Sequence, residues 1–156
     1  MLEQKIEKIV IDELQNALSS DGIVGVQSIG AWQTGVDGGL KAFEKGDAAG
    51  ILAVKTYPRS YETPTIPYAA INVDVSLTMR ADIGYDGATW LSAVDALSRK
   101  MQSWQDSYSG YAETFALSGE FRPSGFNLAG GDVGLDRDSC TWSYSQSFNL
   151  HGVVEG

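Results

Sequence analysis

The sequence predicts an α+β fold: a twisted, antiparallel β-sheet of about five strands with two amphipathic helices packed on one face. Three observations carry this expectation. Between Thr65 and Arg80 the residues Ala69, Ile71, Val73, Val75, Leu77 and Met79 are apolar, and Asn72, Asp74, Ser76, Thr78 and Arg80 between them are polar. That strict alternation is the signature of a strand with one covered and one wet face. Two other stretches, Leu2–Leu18 and Ala88–Trp104, repeat their apolar residues at helical spacing instead. Further alternating runs, bounded by Gly and Pro, supply the remaining strands.

In chain order, the first helix carries Leu2, Ile6, Ile9, Val10, Leu14, Ala17 and Leu18 on one stripe, with Glu3, Lys5, Glu7, Lys8, Asp12 and Glu13 largely off it. Gly22 is placed to take a left-handed cap. Ile23–Trp32 and Ile51–Tyr57 are β-rich and read as strands. Between them Gln33–Gly50 is a long Gly-rich loop; if the two strands pair as neighbours, it projects as a tip from the sheet. Arg59–Pro67 is a connector punctuated by Pro64 and Pro67, residues suited to a strand entry or a sheet edge. After the long strand, Asp82–Gly87 is a turn, and Asp86 is a candidate N-cap. The second helix places Leu91, Val94, Leu97, Met101 and Trp104 on one stripe with Trp90 beside it. Glu113–Phe121 alternates as a strand, with Gly119 as a possible bulge position. Pro123–Asp138 reads as a second Gly- and Asp-rich loop. Cys140–Leu150 is the last strand, with Cys140, Trp142, Tyr144, Phe148 and Leu150 on its apolar face and Ser143, Ser145, Ser147 and Asn149 on the other. The resulting order is α-β-β-β-α-β-β in a single α+β domain over residues 1–156, with loops at 33–50 and 123–138.

Composition narrows the function classes. A chain of 156 residues with 43% hydrophobic residues is long enough for a self-sufficient core. A net charge of −9 argues against a nucleic-acid clamp, which needs clustered Lys and Arg, and leaves open a surface past which DNA slides without sticking. No uninterrupted apolar run approaches the ~20 residues of a membrane span. The start, MLEQKIEKIV, has scattered charges and no apolar core, so it does not read as a signal peptide.

The residues that carry chemistry form no catalytic pattern. His151 is the single histidine and, by strand parity, points away from the apolar face. Cys140, the single cysteine, falls on that face as a small core residue. One His and one Cys cannot build a zinc site of the usual composition. Asp132, Asp136 and Asp138 in AGGDVGLDRD approach a calcium-type oxygen cluster, but the spacing is wrong and there is one copy. Asp82 and Asp86 are a carboxylate pair best explained as a turn and a helix cap. The first Gly-rich loop matches neither a P-loop nor G-x-G-x-x-G. It does carry Lys41, Phe43 and Lys45, an apolar anchor between two cations, suited to ordering on a partner. No cofactor is indicated. Two other readings stand beside a binding role: a monomeric small-ligand binder with an apolar cavity under the helices, and a hydrolase using the Asp82/Asp86 pair or the Asp132–Asp138 cluster.

Taken together, the short first helix, the strand PYAAINVDVSLTMR running into ADIGYDG, the helix ATWLSAVDALSRKM, the strand-like TFALSGEF, a Gly/Asp loop and the final strand TWSYSQSFNLHGV resemble the tail terminator and tail completion proteins of tailed bacteriophages, with the related head–tail joining proteins. The likeness covers most of the chain; the Gln33–Gly50 loop has no counterpart in it. The resemblance implies a non-enzymatic virion protein of the neck, assembled in the host cytoplasm. It implies a homo-oligomer, typically a hexameric ring, that caps the tail tube, meets the tail tube protein and the head–tail connector, and lets DNA pass through without specific binding. No membrane partner is implied. Loop lengths and strand edges put the expected contacts at Lys41, Phe43, Lys45, Asp74, Arg80, Asp132 and Asp136.

Overall fold

The computed structural model describes residues 1–32, 49–63, 66–81, 87–136 and 140–155. Its elements are α1 (Leu2–Ser20), β1 (Val26–Gly30), β2 (Gly50–Thr56), β3 (Ser60–Thr63), β4 (Ile66–Arg80), α2 (Gly87–Asp106), α3 (Tyr108–Phe115), β5 (Phe121–Asp136) and β6 (Thr141–Val154). The strands form one six-stranded sheet in the order β1-β2-β4-β6-β5, with β3 also pairing β4. The fold is α+β, with the helices packed on the sheet.

β4 is the spine. On one side it pairs antiparallel with β6 from Tyr68↔Val153 to Arg80↔Thr141. On the other, β2 takes its second half, from Thr56↔Val73 to Gly50↔Met79. β3 takes its first half, around Tyr61↔Ala69. The alternation read from the sequence sets the layers. Ala69, Ile71, Val73, Val75, Leu77 and Met79 are buried under the helices, and Asn72, Asp74, Ser76, Thr78 and Arg80 lie on the opposite face.

α1 forms because Leu2, Ile6, Val10, Leu14 and Leu18 recur every fourth residue and bury completely or nearly so. Its end follows expectation: Gly22 takes φ +76, and Ile23 N–H closes back on the Leu18 carbonyl at 2.9 Å. In α2 the buried row is Trp90, Ala93, Leu97, Met101 and Trp104. Leu91, expected on that row, is 63% exposed; the stripe is rotated by about one residue toward Trp90, whose larger ring takes the core position and stacks on Trp142 at 6.0 Å. Trp104 lies at the centre of an aromatic cluster, edge-on to Phe115 at 5.0 Å, Phe148 at 5.8 Å and Phe126 at 5.9 Å.

Several expectations are corrected. The predicted strand Glu113–Phe121 is instead the end of a third helix, α3, followed by a turn. Ser107 caps that helix by accepting from Gly110 N–H, and Tyr111 and Phe115, four apart, are buried together. Only a single bridge, Leu117↔Phe121, remains of the predicted strand, and Gly119 sits at φ +76 in the turn. The predicted loop Pro123–Asp138 is mostly strand β5, and Asp136 is its last residue. Its Pro and Gly residues are tolerated because β5 is an edge strand, interrupted by register shifts between Pro123 and Gly125 and between Leu128 and Gly131. Across from Pro123, Gly152 is required: a Cβ there would meet the Phe121 ring at 2.5 Å. The connector after Arg59 contains β3.

β1 and β2 run parallel, from Val26↔Gly50 to Gly30↔Val54, so the sheet is not wholly antiparallel. The chain therefore leaves β1 at one end of the strand pair and enters β2 at the other, which rules out the simple hairpin geometry behind the projecting-tip expectation. The intervening residues 33–48 lie outside the described residues. Cys140 is not a core residue: it is exposed, at φ +53, in the turn before β6.

Replacing Trp104 with Ala is expected to cost about 3–5 kcal/mol in urea denaturation, because it empties the centre of the aromatic cluster. Leu91→Ala is expected to change stability by less than about 0.5 kcal/mol. Equal losses would contradict the helix orientation described here.

Candidate interaction surface

The face of the sheet away from the helices is built of small polar side chains. Rows cross the strands at fixed register: Asn72, Asn149 and Asn127; Ser76, Ser145 and Asp132; Arg80, Thr141 and Asp136. Asp74 is the centre of its own row, between Lys55 on β2 and Ser147 on β6. Its carboxylate accepts from the Tyr57 hydroxyl at 2.8 Å and from Ser147 Oγ at 2.6 Å. Lys55 Nζ lies 4.8 Å from the centre of the Tyr57 ring, so cation, ring and carboxylate form one locked group. A groove of about 550 Å³ runs beside it, lined by Ile29, Ala53, Lys55, Asp74, Ser76 and Ser145.

The residues proposed from sequence fall as follows. Asp74, Arg80 and Asp132 stand on this one face, Arg80 partly buried and Asp132 exposed. Asp136 is at the same end of the sheet as Arg80, with Thr141 between them in register. Asp132 accepts from Val133 N–H at 2.9 Å, a local contact that occupies one carboxylate oxygen. Lys41, Phe43, Lys45, Asp82, Asp86 and Asp138 lie outside the described residues. So β4 and β5, with β6 between them, bring Asp74 and Asp132, far apart in sequence, onto one shallow polar surface and not into a converging cluster. Among the described residues no group of three His, Cys, Asp or Glu is placed to hold a metal ion. His151 faces Glu62, with Nδ1 3.9 Å from Oε1. Cys140 and His151 stand near opposite ends of β6, on the order of 30 Å apart, too far for a nucleophile and its base. No described helix is long and apolar enough to cross a membrane.

Glu3 and Glu7 were expected off the apolar stripe of α1 and are instead buried. Glu7 accepts from the backbone N–H groups of Trp32 at 2.8 Å, just past the end of β1, and Thr56 at 3.3 Å, the last residue of β2. Trp32 Nε1 donates to the Thr56 carbonyl at 2.6 Å and closes the ring. Glu3 takes Arg59 in a fork, Nη2 at 2.8 Å and Nε at 3.0 Å, and also its backbone N–H at 2.8 Å. The available signal was the i, i+4 spacing of the two glutamates directly beside Leu2, Ile6 and Val10.

No protein-family model matches the chain, and no curated protein matches it. Among solved structures, a chain of the virion of a native gene transfer agent particle is similar over 94% of this chain and 92% of its own length, with 16% sequence identity and a TM-score of 0.52. That likeness is one of fold. Two structures from Akkermansia muciniphila, one described as lacking its transmembrane region, match with 12% identity and a TM-score of 0.38. They cover 98% and 97% of this chain, and 84% and 77% of their own.

The two buried carboxylates respond oppositely to pH. Burial pushes Glu3 up, but the Arg59 guanidinium and N–H outweigh it and hold the carboxyl below 4.5. Its contribution to stability is thus present above 4.5 and lost as pH falls through the folded-state value. For Glu7 burial dominates the two N–H donors and keeps the carboxyl above 4.5. Its contribution is present below 4.5 and lost as pH rises through the folded-state value. Glu3→Gln is expected to lower stability at neutral pH by about 1–3 kcal/mol, with the deficit shrinking as pH falls below about 4.5. Urea titrations at both pH values measure it, and a deficit that does not change with pH would contradict the Arg59 pairing.

Proposed function

We propose that this protein is a structural subunit of a phage-type virion: a tail terminator or tail completion protein that forms a ring, hexameric as in the family it resembles, on the end of the tail tube. In this reading it meets tail tube protein on one side and the head–tail connector on the other, and DNA passes through the ring unbound. It is assembled in the host cytoplasm and carried in the virion neck. The chain acts as one α+β domain without enzymatic activity. The observation that carries the proposal is the end-to-end fold likeness to a chain of the gene transfer agent virion. The sequence resemblance points the same way through α1, β4, α2 and β6, while two elements it was read from, the strand-like TFALSGEF and the Gly/Asp loop, are helix and turn and an edge strand in the fold.

The surface supports the same reading. An acidic chain, with a net charge of −9, repels DNA and does not grip it. The open sheet face offers extended, small-residue terrain of the kind a protein partner covers. The contact residues in this proposal are Asp74, Arg80, Asp132 and Asp136 on that face, with Lys41, Phe43 and Lys45 from the Gly-rich stretch. A ligand-binding role would use an apolar cavity between helices and sheet. That space is occupied by Trp104, Phe115, Phe126, Phe148 and the apolar row of β4.

Mass measurement of the purified protein, alone and with the tail tube protein of the same virion, is expected to show a ring-sized oligomer in at least one condition. A strict monomer in both overturns the proposal. Asp74→Lys, which breaks the Tyr57–Asp74–Ser147 group, is expected to leave the fold intact by circular dichroism but reduce ring formation.

A further inference from the structure

The sheet ends on two edges that differ in kind, and we infer that they join. The outer half of β5 in one subunit pairs with β1 of a second copy of this chain, so that the sheet continues from subunit to subunit. This rests on the assembly reading above and specifies its seam.

β1 and β5 are the terminal strands of the sheet, and among the described residues neither outer edge meets another strand. Exposed edges are usually blunted by charge, proline, bulges or a covering element. The inner half of β5 is blunted in this way. It holds Pro123 and two register shifts, and Gln105 from α2 accepts from the Leu128 N–H at 2.6 Å. Residues 131–136 carry two carboxylates, Asp132 and Asp136, but no proline and no register shift, and they pair with β6 without interruption, from Gly131↔Gln146 to Asp136↔Thr141. β1 contains no charge, no proline and no bulge over its five residues, VQSIG. The uninterrupted six-residue stretch of β5 is therefore long enough to span the five residues of β1.

The backbone points the right way at both edges. Ala81 N–H bonds the Cys140 carbonyl, which sets the phase of the β4–β6 ladder. By alternation, Asp132, Gly134 and Asp136 bond to β6, and the N–H and C=O groups of Val133 and Leu135 point outward. Val133 N–H is met by the exposed Asp132 carboxylate, a local contact that a strand can displace. On β1, Ala31 N–H bonds the Val54 carbonyl, so Val26, Ser28 and Gly30 present their backbone outward. One of those groups, the Val26 carbonyl, accepts from Gln15.

The side chains agree. Val133 and Leu135 stand in register with Tyr144 and Trp142 on the helix side of the sheet, yet are 54% and 42% exposed. At this seam they would lie beside β1 of the neighbour and under its α1, near Val24, which is 79% exposed just before that strand. The exposed apolar pair would then cover the exposed Val24. Because the two edges are different surfaces, each subunit has one of each to offer. Such a head-to-tail contact closes into a ring or runs on as a filament, never a two-fold dimer.

Mixed single-cysteine variants test this in a Cys140→Ser background. Gln27→Cys and Gly134→Cys both place the thiol on the open face, and the Ser143 hydroxyl lies 3.5 Å from the Gly134 Cβ position, an ordinary contact. Oxidising the two variants together is expected to give disulfide-linked pairs containing one of each, in roughly tenfold excess over either alone. Asp132→Cys in place of Gly134→Cys covers the alternative register. Leu135→Pro removes an outward N–H without touching the β6 ladder and is expected to weaken assembly by about tenfold or more. Val133→Lys tests the apolar contact with the backbone untouched and is expected to weaken assembly likewise. Oligomers that form normally in both variants, or cross-links mainly between like cysteines, overturn the seam and leave the virion reading standing. A protein that is monomeric at every concentration, alone and with tube protein, overturns both.

Discussion

The pairing of β4 with β6 is the constraint on which the other parts depend. It runs without interruption from Tyr68↔Val153 to Arg80↔Thr141, so the side-chain alternation of the two strands is locked in phase. A slip of one residue would turn outward either Ile71, Val73, Val75 and Leu77 or Tyr144, Phe148 and Leu150, whichever strand moved. Burying those side chains contributes roughly 1.5–3 kcal/mol each, so no neighbouring register competes. With that phase fixed, the helices have one face to cover, and the small polar residues are left on the other.

The helices are held to this frame in two different ways. α2 and α3 are held by aromatic packing around Trp104, which tolerates no large void. α1 is held at its first turns by charge and backbone hydrogen bonds, through Glu3 to Arg59 and Glu7 to the strand ends. A carboxylate that accepts main-chain N–H groups fixes where the chain enters and leaves the sheet more tightly than an apolar contact of the same size. It also explains why buried glutamates occur in an otherwise ordinary core stripe: the N–H groups of Trp32 and Thr56 emerge at the ends of β1 and β2 and need an acceptor.

Much of this was legible in the sequence. β4, β6 and α1 are long and strongly periodic, and the apolar residues of their covered faces are read from strand alternation or helical spacing, apart from Cys140, which is exposed, and the buried Glu3 and Glu7, which were expected off the stripe. The misreadings have local physical causes. Phe115, Leu117 and Phe121 alternate, but Tyr111 and Phe115 are also one helical turn apart, and the Ser107 cap decides for the helix. The Gly and Pro content of 123–136 signals a loop when taken alone, yet an edge strand next to a fully paired β6 accepts it. Cys140 continues the parity of its strand in sequence, but a residue at φ +53 cannot lie in a ladder. The open face was legible through Asp74 and Arg80 on the wet side of β4, while Asp132 was read in a loop and not on that face. The assembly of that face from three strands was not legible, because register between distant strands leaves no trace in a single sequence. The parallel pairing of β1 with β2 was hidden for the same reason.

The β4–β6 ladder also dictates the order of events when the chain folds. Even its nearest pair, Arg80 and Thr141, is separated by α2, α3 and β5, so the central seam of the sheet closes only after more than a third of the chain has been brought back on itself. The β5–β6 hairpin is local and has no such delay. Until β6 arrives, β4 presents a long alternating strand with a free edge, the kind of segment that recruits other chains. α2 follows β4 directly in sequence and is the first element able to lie over its apolar face. Synthesis from the N-terminus therefore supplies the cover before the last strand, and β4 is shielded on one face while it waits for its partner.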